Sequence, residues 1–251
     1  LPKTALEKVN RLYPKTIQAN LGAQQLKCMI YQLTLETALQ ESIEIPAINR
    51  VKKELKNQKD SLTRMLLQAI LAKQYKQYYN QNQWKISGRT PNAGGLQQPV
   101  TLWSMSDFHR AIRLAYREAL SKPNLLQITP ALALAAIYIP GSNAPKPDNW
   151  WELLLMEQLA YEKDPIGEMP NTGGQNNWLN LAISDPLTFQ QSKLPSTDSS
   201  SEVAVLKIYQ QLIASKEKKN QTGNWIQLHI DRINWAWQKA NHASSLRGAY
   251  L

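Results

Sequence analysis

The stretch from Ser61 to Arg89, SLTRMLLQAILAKQYKQYYNQNQWKISGR, restricts the fold more than any other part of the chain. Leu62, Met65, Leu66, Ala69, Ile70 and Lys73 recur three and four residues apart, which at about 3.6 residues per turn lines one face of a helix. Ser61 is placed to cap it, and Tyr75, Tyr78, Tyr79 and Trp84 extend it into an aromatic foot. Gly88, Pro91, Gly94 and Gly95 then forbid further regular structure. The pattern predicts a long buried helix against which other helices must pack.

Other helices follow from the same reasoning. Thr4 to Asn20 carries Ala5, Leu6, Val9, Leu12 and Tyr13 at helical spacing, with a break or kink expected at Pro14. Gly22 separates it from a helix over Ala23 to Ser42, with Leu26, Met29, Ile30, Leu33 and Ala38 inward, and so short a link makes the two antiparallel neighbours. A third runs from about Ala47 to Asn57 with Ile48, Val51 and Leu55 inward. After an irregular loop from Ile86 to Pro99, Val100 to Trp103 is expected to be extended, and Ser104 or Ser106 caps a helix with Phe108, Ala111, Ile112, Ala115 and Ala119 on its apolar face. Lys122-Pro123 stops that helix. A short one is expected from Thr129 to Tyr138, capped by Thr129, with Pro130 in its first turn.

Asp148 is the expected cap of a helix from Asn149 to about Glu162, with Trp150, Trp151, Leu154, Leu155 and Leu159 available to the core. Residues 164–201 read as a long irregular excursion, rich in Pro and Ser with Gly173-Gly174. Ser199 and Glu202 form a capping box for a helix to about Lys219, with Val203, Leu206, Tyr209, Leu212 and Ile213 inward. The last helix, Trp225 to Asn241, places Ile226, Ile230, Ile233 and Trp237 on one stripe. The expected fold is therefore all-α: antiparallel helical hairpins in a tetratricopeptide-like array with long irregular loops, in a single helical domain over 1–251 that divides, if at all, into hairpins 1–99 and helices 100–251.

Composition narrows the function. Net charge is +10, which favours anionic partners, but no helix-turn-helix, zinc or RNP signature accompanies it, so no specific nucleic-acid binding is expected. Arg110, Arg113, Arg117 and the run Lys216, Lys218, Lys219 read as solvated faces. Cys28 is the single cysteine, which excludes an intramolecular disulfide and a thiolate metal cluster. The most apolar run, ALALAAIYIP, is about half the roughly 20 residues of a membrane span. His109, His229 and His242 are scattered, and no phosphate loop or GxSxG elbow is present, so neither a cofactor, a metal site nor catalysis is expected. An enzyme would need carboxylates such as Asp148, Glu152 or Asp185 brought together by folding. Adjacent helical residues diverge by about 100°, so Trp150-Trp151 and Trp235 with Trp237 cannot all point inward. Trp150, Trp151 and Trp178 are the candidate binding residues, offering exposed rings to a partner or a sugar.

The segments LPKTALEKVNRLY, LKCMIYQLTLE, LAKQYKQYYNQNQWKISGRT, TLWSMSDFHRAIRLAYREAL and TPALALAA, in that order, resemble the N-terminal helical region of the large alpha-2-macroglobulin-like proteins of Bacteroidetes-type bacteria. VLKIYQQLIASKEKKN followed by LHIDRINWAW is similar to the helix pair closing that region. The resemblance implies a secreted or cell-envelope protease trap. This chain would be its leading, non-catalytic scaffolding module, cut from a longer parent, touching neighbouring domains and meeting proteases only through that parent. Cys28 is followed by Met29, Ile30 and Tyr31 rather than by the Glu-Gln of a thioester motif, so no capture residue is carried over. The pattern departs from the family at Trp150-Trp151 and around Asn171 to Asn177. The alternative expectation is a helical carbohydrate-binding protein of the cell surface, with Trp150 or Trp178 stacked on sugars.

Overall fold

A computed structural model describes residues 1–39, 44–91, 93–131, 146–166, 177–195 and 200–249, with side chains described to Asn241. The described residues form eleven α-helices and two short 3-10 turns, joined by one isolated antiparallel bridge between Pro130 and Asn149. The protein is all-α. It forms two compact units, Leu1–Pro140 with Asp148–Leu154, and Gly141–Pro147 with Leu155–Leu251.

The first unit begins with α1 (Pro2–Gln18), α2 (Gly22–Leu39), α3 (Glu44–Asn57) and α4 (Ser61–Ile86), α1 packing on α2 and α3 on α4. α1 runs through Pro14 without the expected break, because Pro14 lies on the exposed side, where its missing N–H removes no buried hydrogen bond. On α2, Leu26, Met29 and Leu33 are buried as expected but Ala38 is exposed. Asp60, not Ser61, caps α4: its carboxylate accepts from the Thr63 N–H at 2.7 Å, while the Ser61 hydroxyl accepts from the Lys122 ammonium at 2.8 Å.

Leu67, Leu71 and Ala72 are buried on α4 together with Met65, Leu66 and Ala69, so the helix is enclosed around most of its girth rather than along one stripe. Lys73, placed inside by periodicity, is exposed. The foot is a real aromatic core with a different membership. After 3-10 turns at Gly95–Gln97 and Val100–Leu102, where an extended segment was expected, Trp103 enters beside Tyr75 with ring centroids 5.1 Å apart. Phe108 of α5 (Met105–Ala119) lies 5.3 Å from Trp103, 5.6 Å from Tyr78 and 5.9 Å from Tyr79. Trp84 stays outside, 76% exposed, with the Lys85 ammonium 4.8 Å from its ring.

Arg89 fixes the loop by donating to the Thr101 and Trp103 carbonyls at 2.7 and 3.1 Å. Ser104, not Ser106, caps α5 through a reciprocal box with Asp107. α4 and α5, on either side of the 99/100 position, pack against each other within the same unit.

Pro123 opens α6 (Pro123–Ile128), and Thr129 lies at its end, with Pro130 in the bridge to Asn149 rather than in a helical first turn. The remainder of the helix expected over Thr129 to Tyr138 falls outside the described residues. α7 (Trp150–Lys163) is capped by Asn149, whose side chain accepts from the Glu152 N–H at 3.0 Å, and Glu152 in turn accepts from the Asp148 N–H at 2.8 Å. That leaves Asp148 outside the capping role.

The second unit contains α8 (Asn177–Ile183), α9 (Pro186–Gln191), α10 (Ser201–Lys218) and α11 (Thr222–Ala249), with α11 packing on α10 and α8. The expected irregular excursion over 164–201 thus holds two short helices, each closed by local hydrogen bonds; Asp185, for example, caps α9 by accepting from Thr188 at 3.0 Å. Residues 167–176 and 196–199 of that excursion fall outside the described residues. Ser200 caps α10, its hydroxyl accepting from the Val203 N–H; Ser199, the expected cap, lies outside the described residues. Lys216, read as part of a solvated basic run, is fully buried and donates to the Lys146 carbonyl at 3.0 Å.

Two of the interhelix links share one device. Asn20 (φ 52°) and Asn220 (φ 54°) adopt the left-handed conformation just past α1 and α10, and the next N–H returns five residues, Leu21 to the Thr16 carbonyl and Gln221 to the Lys216 carbonyl. Asn20 therefore makes the first turn, and Gly22 already belongs to α2. Asn tolerates this backbone where a β-branched residue does not. Asn220→Val is expected to cost about 1–2 kcal/mol, and Asn220→Gly nothing, in urea unfolding followed by circular dichroism.

Candidate functional site

The three tryptophans singled out by sequence take different places. Trp150 is buried, 5% exposed, so it does not offer a face to a sugar, and its indole N–H finds no acceptor among the described residues. Trp151 beside it is half-buried, in keeping with their angular divergence. Trp178, also half-buried, lies against Trp235 with ring centroids 5.4 Å apart, so one side of it is engaged by the protein itself. Burial withdraws Trp150 alone; Trp151 and Trp178 each keep part of their surface open.

The apolar surface left open belongs to α11. Ile226, Ile230, Ile233 and Trp237, the stripe read from the sequence, are 45, 45, 41 and 68% exposed. At 3.6 residues per turn they fall within an arc of about 60°. A second set, Leu228, His229, Arg232, Trp235 and Ala236, occupies the buried side. Both sets have helical periodicity, and polar anchoring decides between them.

Arg232 is fully buried and donates to the carbonyls of Leu181 and Ser184 at 3.2 and 2.8 Å, tying α11 to the end of α8, where the Leu181 carbonyl also accepts from the Ser184 N–H. Its guanidinium also lies 4.0 Å from the centre of the Phe189 ring, a cation–π contact out of water. Burial lowers its pKa to about 10, so it remains charged at neutral pH. Asp231, one residue earlier, accepts from the Lys163 ammonium and from the Tyr209 hydroxyl, each at 2.7 Å. Burial, and then the Asp231 carboxylate, push the Tyr209 hydroxyl well above its ordinary value.

His229 packs 4.4 Å from Trp225 and 6.2 Å from Phe189, ring centre to ring centre. Neither of its nitrogens has a hydrogen-bond partner among the described residues, and burial first, then the Arg232 charge, lower its pKa to about 4. It is a neutral core residue. These contacts hold α11 in the rotation that sends the isoleucine–tryptophan stripe outward. The signal available beforehand was that both faces of α11 are apolar, with the polar groups on one of them able to reach carbonyls.

The first unit holds a cleft of about 770 Å³ where the ends of α1 and α3 meet the starts of α2 and α4. Its polar lining is engaged internally: the Gln25 amide donates toward Glu54 at 3.5 Å and the Gln58 amide to Gln25 at 3.1 Å. Among the described residues no three His, Cys, Asp or Glu side chains converge as a metal site, and no helix is long and apolar enough to cross a membrane. Asp148 and Glu152 meet through a capping hydrogen bond, and Asp185 is the cap of another helix. No protein family, curated protein or solved structure matches this chain.

Proposed function

We propose that this chain is a helical scaffolding and protein-interaction module that docks another protein surface along α11. The observation that carries the reading is the exposed stripe of Ile226, Ile230, Ile233 and Trp237, since apolar patches of this kind on a water-facing helix mark association surfaces. The tetratricopeptide-like arrangement belongs to the same reading, supported by the pairing of α1 with α2 and of α3 with α4 across short links. In the alpha-2-macroglobulin-like form of the proposal, the module lies in the cell envelope or outside the cell, beside the later domains of a longer parent. It would then contribute to protease trapping only through that parent.

A photo-crosslinking amino acid placed at Trp237 tests the docking reading in the source cells. Adducts with protein are expected there and not with the same probe at Glu217, on the exposed surface of α10; equal yields at both positions, or none at Trp237, overturn it. Trp237→Ser is expected to abolish the association while changing stability by less than about 0.5 kcal/mol, because an exposed site away from core contacts contributes little to folding. An immunoblot of fractionated source cells tests the parent: a band several times heavier than 28.6 kDa in the envelope supports it, and a band at 28.6 kDa removes it.

The carbohydrate-binding alternative retains one specific observation, the exposed Trp84 with Lys85 beside its ring. Glycan-induced quenching of tryptophan fluorescence, lost in Trp84→Ala, is its expected signature.

A further inference from the structure

We infer that the occupant of the α11 stripe is a second copy of this chain, paired antiparallel about a two-fold axis through the middle of the stripe; this rests on the interaction-module reading above and names its partner. The stripe is palindromic in spacing. Ile226 to Ile230 is four residues, Ile230 to Ile233 three, and Ile233 to Trp237 four again, the heptad rhythm of a two-helix seam. Ile226 with Trp237 and Ile230 with Ile233 are both centred between Asp231 and Arg232. One two-fold axis at that point therefore sets Ile226 against Trp237 of the second copy and Ile230 against Ile233 of the second copy simultaneously, as an isologous contact requires.

Charge agrees with a self-partner. A chain of net charge +10 repels its own copy wherever like charges meet. Yet from Thr222 to Gln238 the exposed residues of α11 are Thr222, Gly223, Gln227, Asn234 and Gln238 besides the stripe itself, and none of them is charged. Asp231 points its carboxylate to Lys163 and Tyr209 of its own chain, and Arg232 is buried. The Asp231 side chain is 41% exposed, but its carboxylate is already held by Lys163 and Tyr209, so the stripe itself presents no charge to a strongly acidic or basic partner.

The area sets the strength. Trp237, at 68% exposure, leaves roughly 170 Å² of a side chain that buries up to about 250 Å². With the three isoleucines the strip comes to roughly 400 Å² per copy, the size of the largest apolar patch on an ordinary monomer and about half of one side of a standard interface. The dimer is accordingly a weak one that forms at micromolar concentrations and dissociates on dilution.

Sedimentation velocity of the complete 251-residue chain, from low micromolar to several hundred micromolar, is the test. The mass is expected to climb from 28.6 kDa toward twice that value, more readily at about 0.5 M salt than at about 0.05 M, because salt screens the repulsion between basic bodies without weakening the seam. Ile230→Lys and Ile233→Glu should each weaken self-association about tenfold or more, since each buries an unpaired charge. Mixing these two variants should restore a dimer, because Lys at 230 faces Glu at 233 of the other copy; mixing Ile230→Lys with Ile230→Glu should not. Rescue by the second mixture instead of the first overturns the antiparallel register.

A chain that stays at 28.6 kDa throughout overturns self-pairing. If the probe at Trp237 then still links to a protein of another mass, the interaction-module reading survives with a different partner. If that probe also gives nothing, both fall.

Discussion

Phe108→Ala is expected to lower the stability of the first unit by about 3–5 kcal/mol, the range for removing a fully enclosed aromatic ring. Phe108 has no exposed surface and touches the rings of Trp103, Tyr78 and Tyr79, thereby joining α5 to α4 and to the loop that carries Trp103. Its loss removes the transfer free energy of the ring and leaves a space that neighbours already in contact with one another cannot collapse to fill. Phe108→Leu, which conserves most of the volume, should cost about 1.5 kcal/mol or less. Guanidinium unfolding monitored by circular dichroism measures both variants. A loss below about 1.5 kcal/mol for Phe108→Ala would mean that the cluster does not hold these elements together.

His229 should make the second unit acid-sensitive by about 3 kcal/mol. Its folded-state pKa of about 4 lies below the 6.5 of an exposed imidazole, so the unfolded chain takes up the proton first as pH falls. The contribution is therefore fully present above pH 6.5 and is lost progressively between 6.5 and about 4. Burial against Trp225 and Phe189, with the Arg232 charge nearby, is the physical cause. Comparing the pH dependence of unfolding free energy for the native chain and for His229→Leu isolates this group from the carboxylates, which titrate in both. The native chain should lose about 3 kcal/mol more than the variant on going from pH 7 to pH 4. Parallel curves would contradict a neutral buried imidazole, as would an NMR titration of His229 with a midpoint near 6.5.

Helix content was legible in the sequence because periodicity and capping are local. The inward faces of α3 and α10 came through intact: Ile48, Val51 and Leu55, and Val203, Leu206, Tyr209, Leu212 and Ile213, are all buried. α3 has one clearly apolar side, and α10 is enclosed so widely, with Val205 and Ile208 buried as well, that its predicted face could hardly miss the core. Caps were displaced by a single residue in three places, to Asp60, Asn149 and Ser200, since adjacent polar residues compete for one role and the backbone geometry selects among them.

Tertiary structure decided what local pattern could not. α4 is apolar around most of its circumference, so its sequence specifies a buried helix but not which neighbours cover which side; Trp103 and Phe108 arrive from a loop and another helix. α11 carries two apolar stripes, and the free energy of satisfying the α8 carbonyls with Arg232 and of holding Asp231 between Lys163 and Tyr209 selects the one that turns inward. The candidate tryptophans divide for the same reason, Trp150 buried and Trp151 and Trp178 half-buried: exposure depends on what packs against a residue, which a helical repeat does not encode. By itself the sequence determined that the chain is helical, basic and without a local catalytic motif. The fold determined which hydrophobic face stays in water, because partners distant in sequence fix the rotation of the helix that bears it.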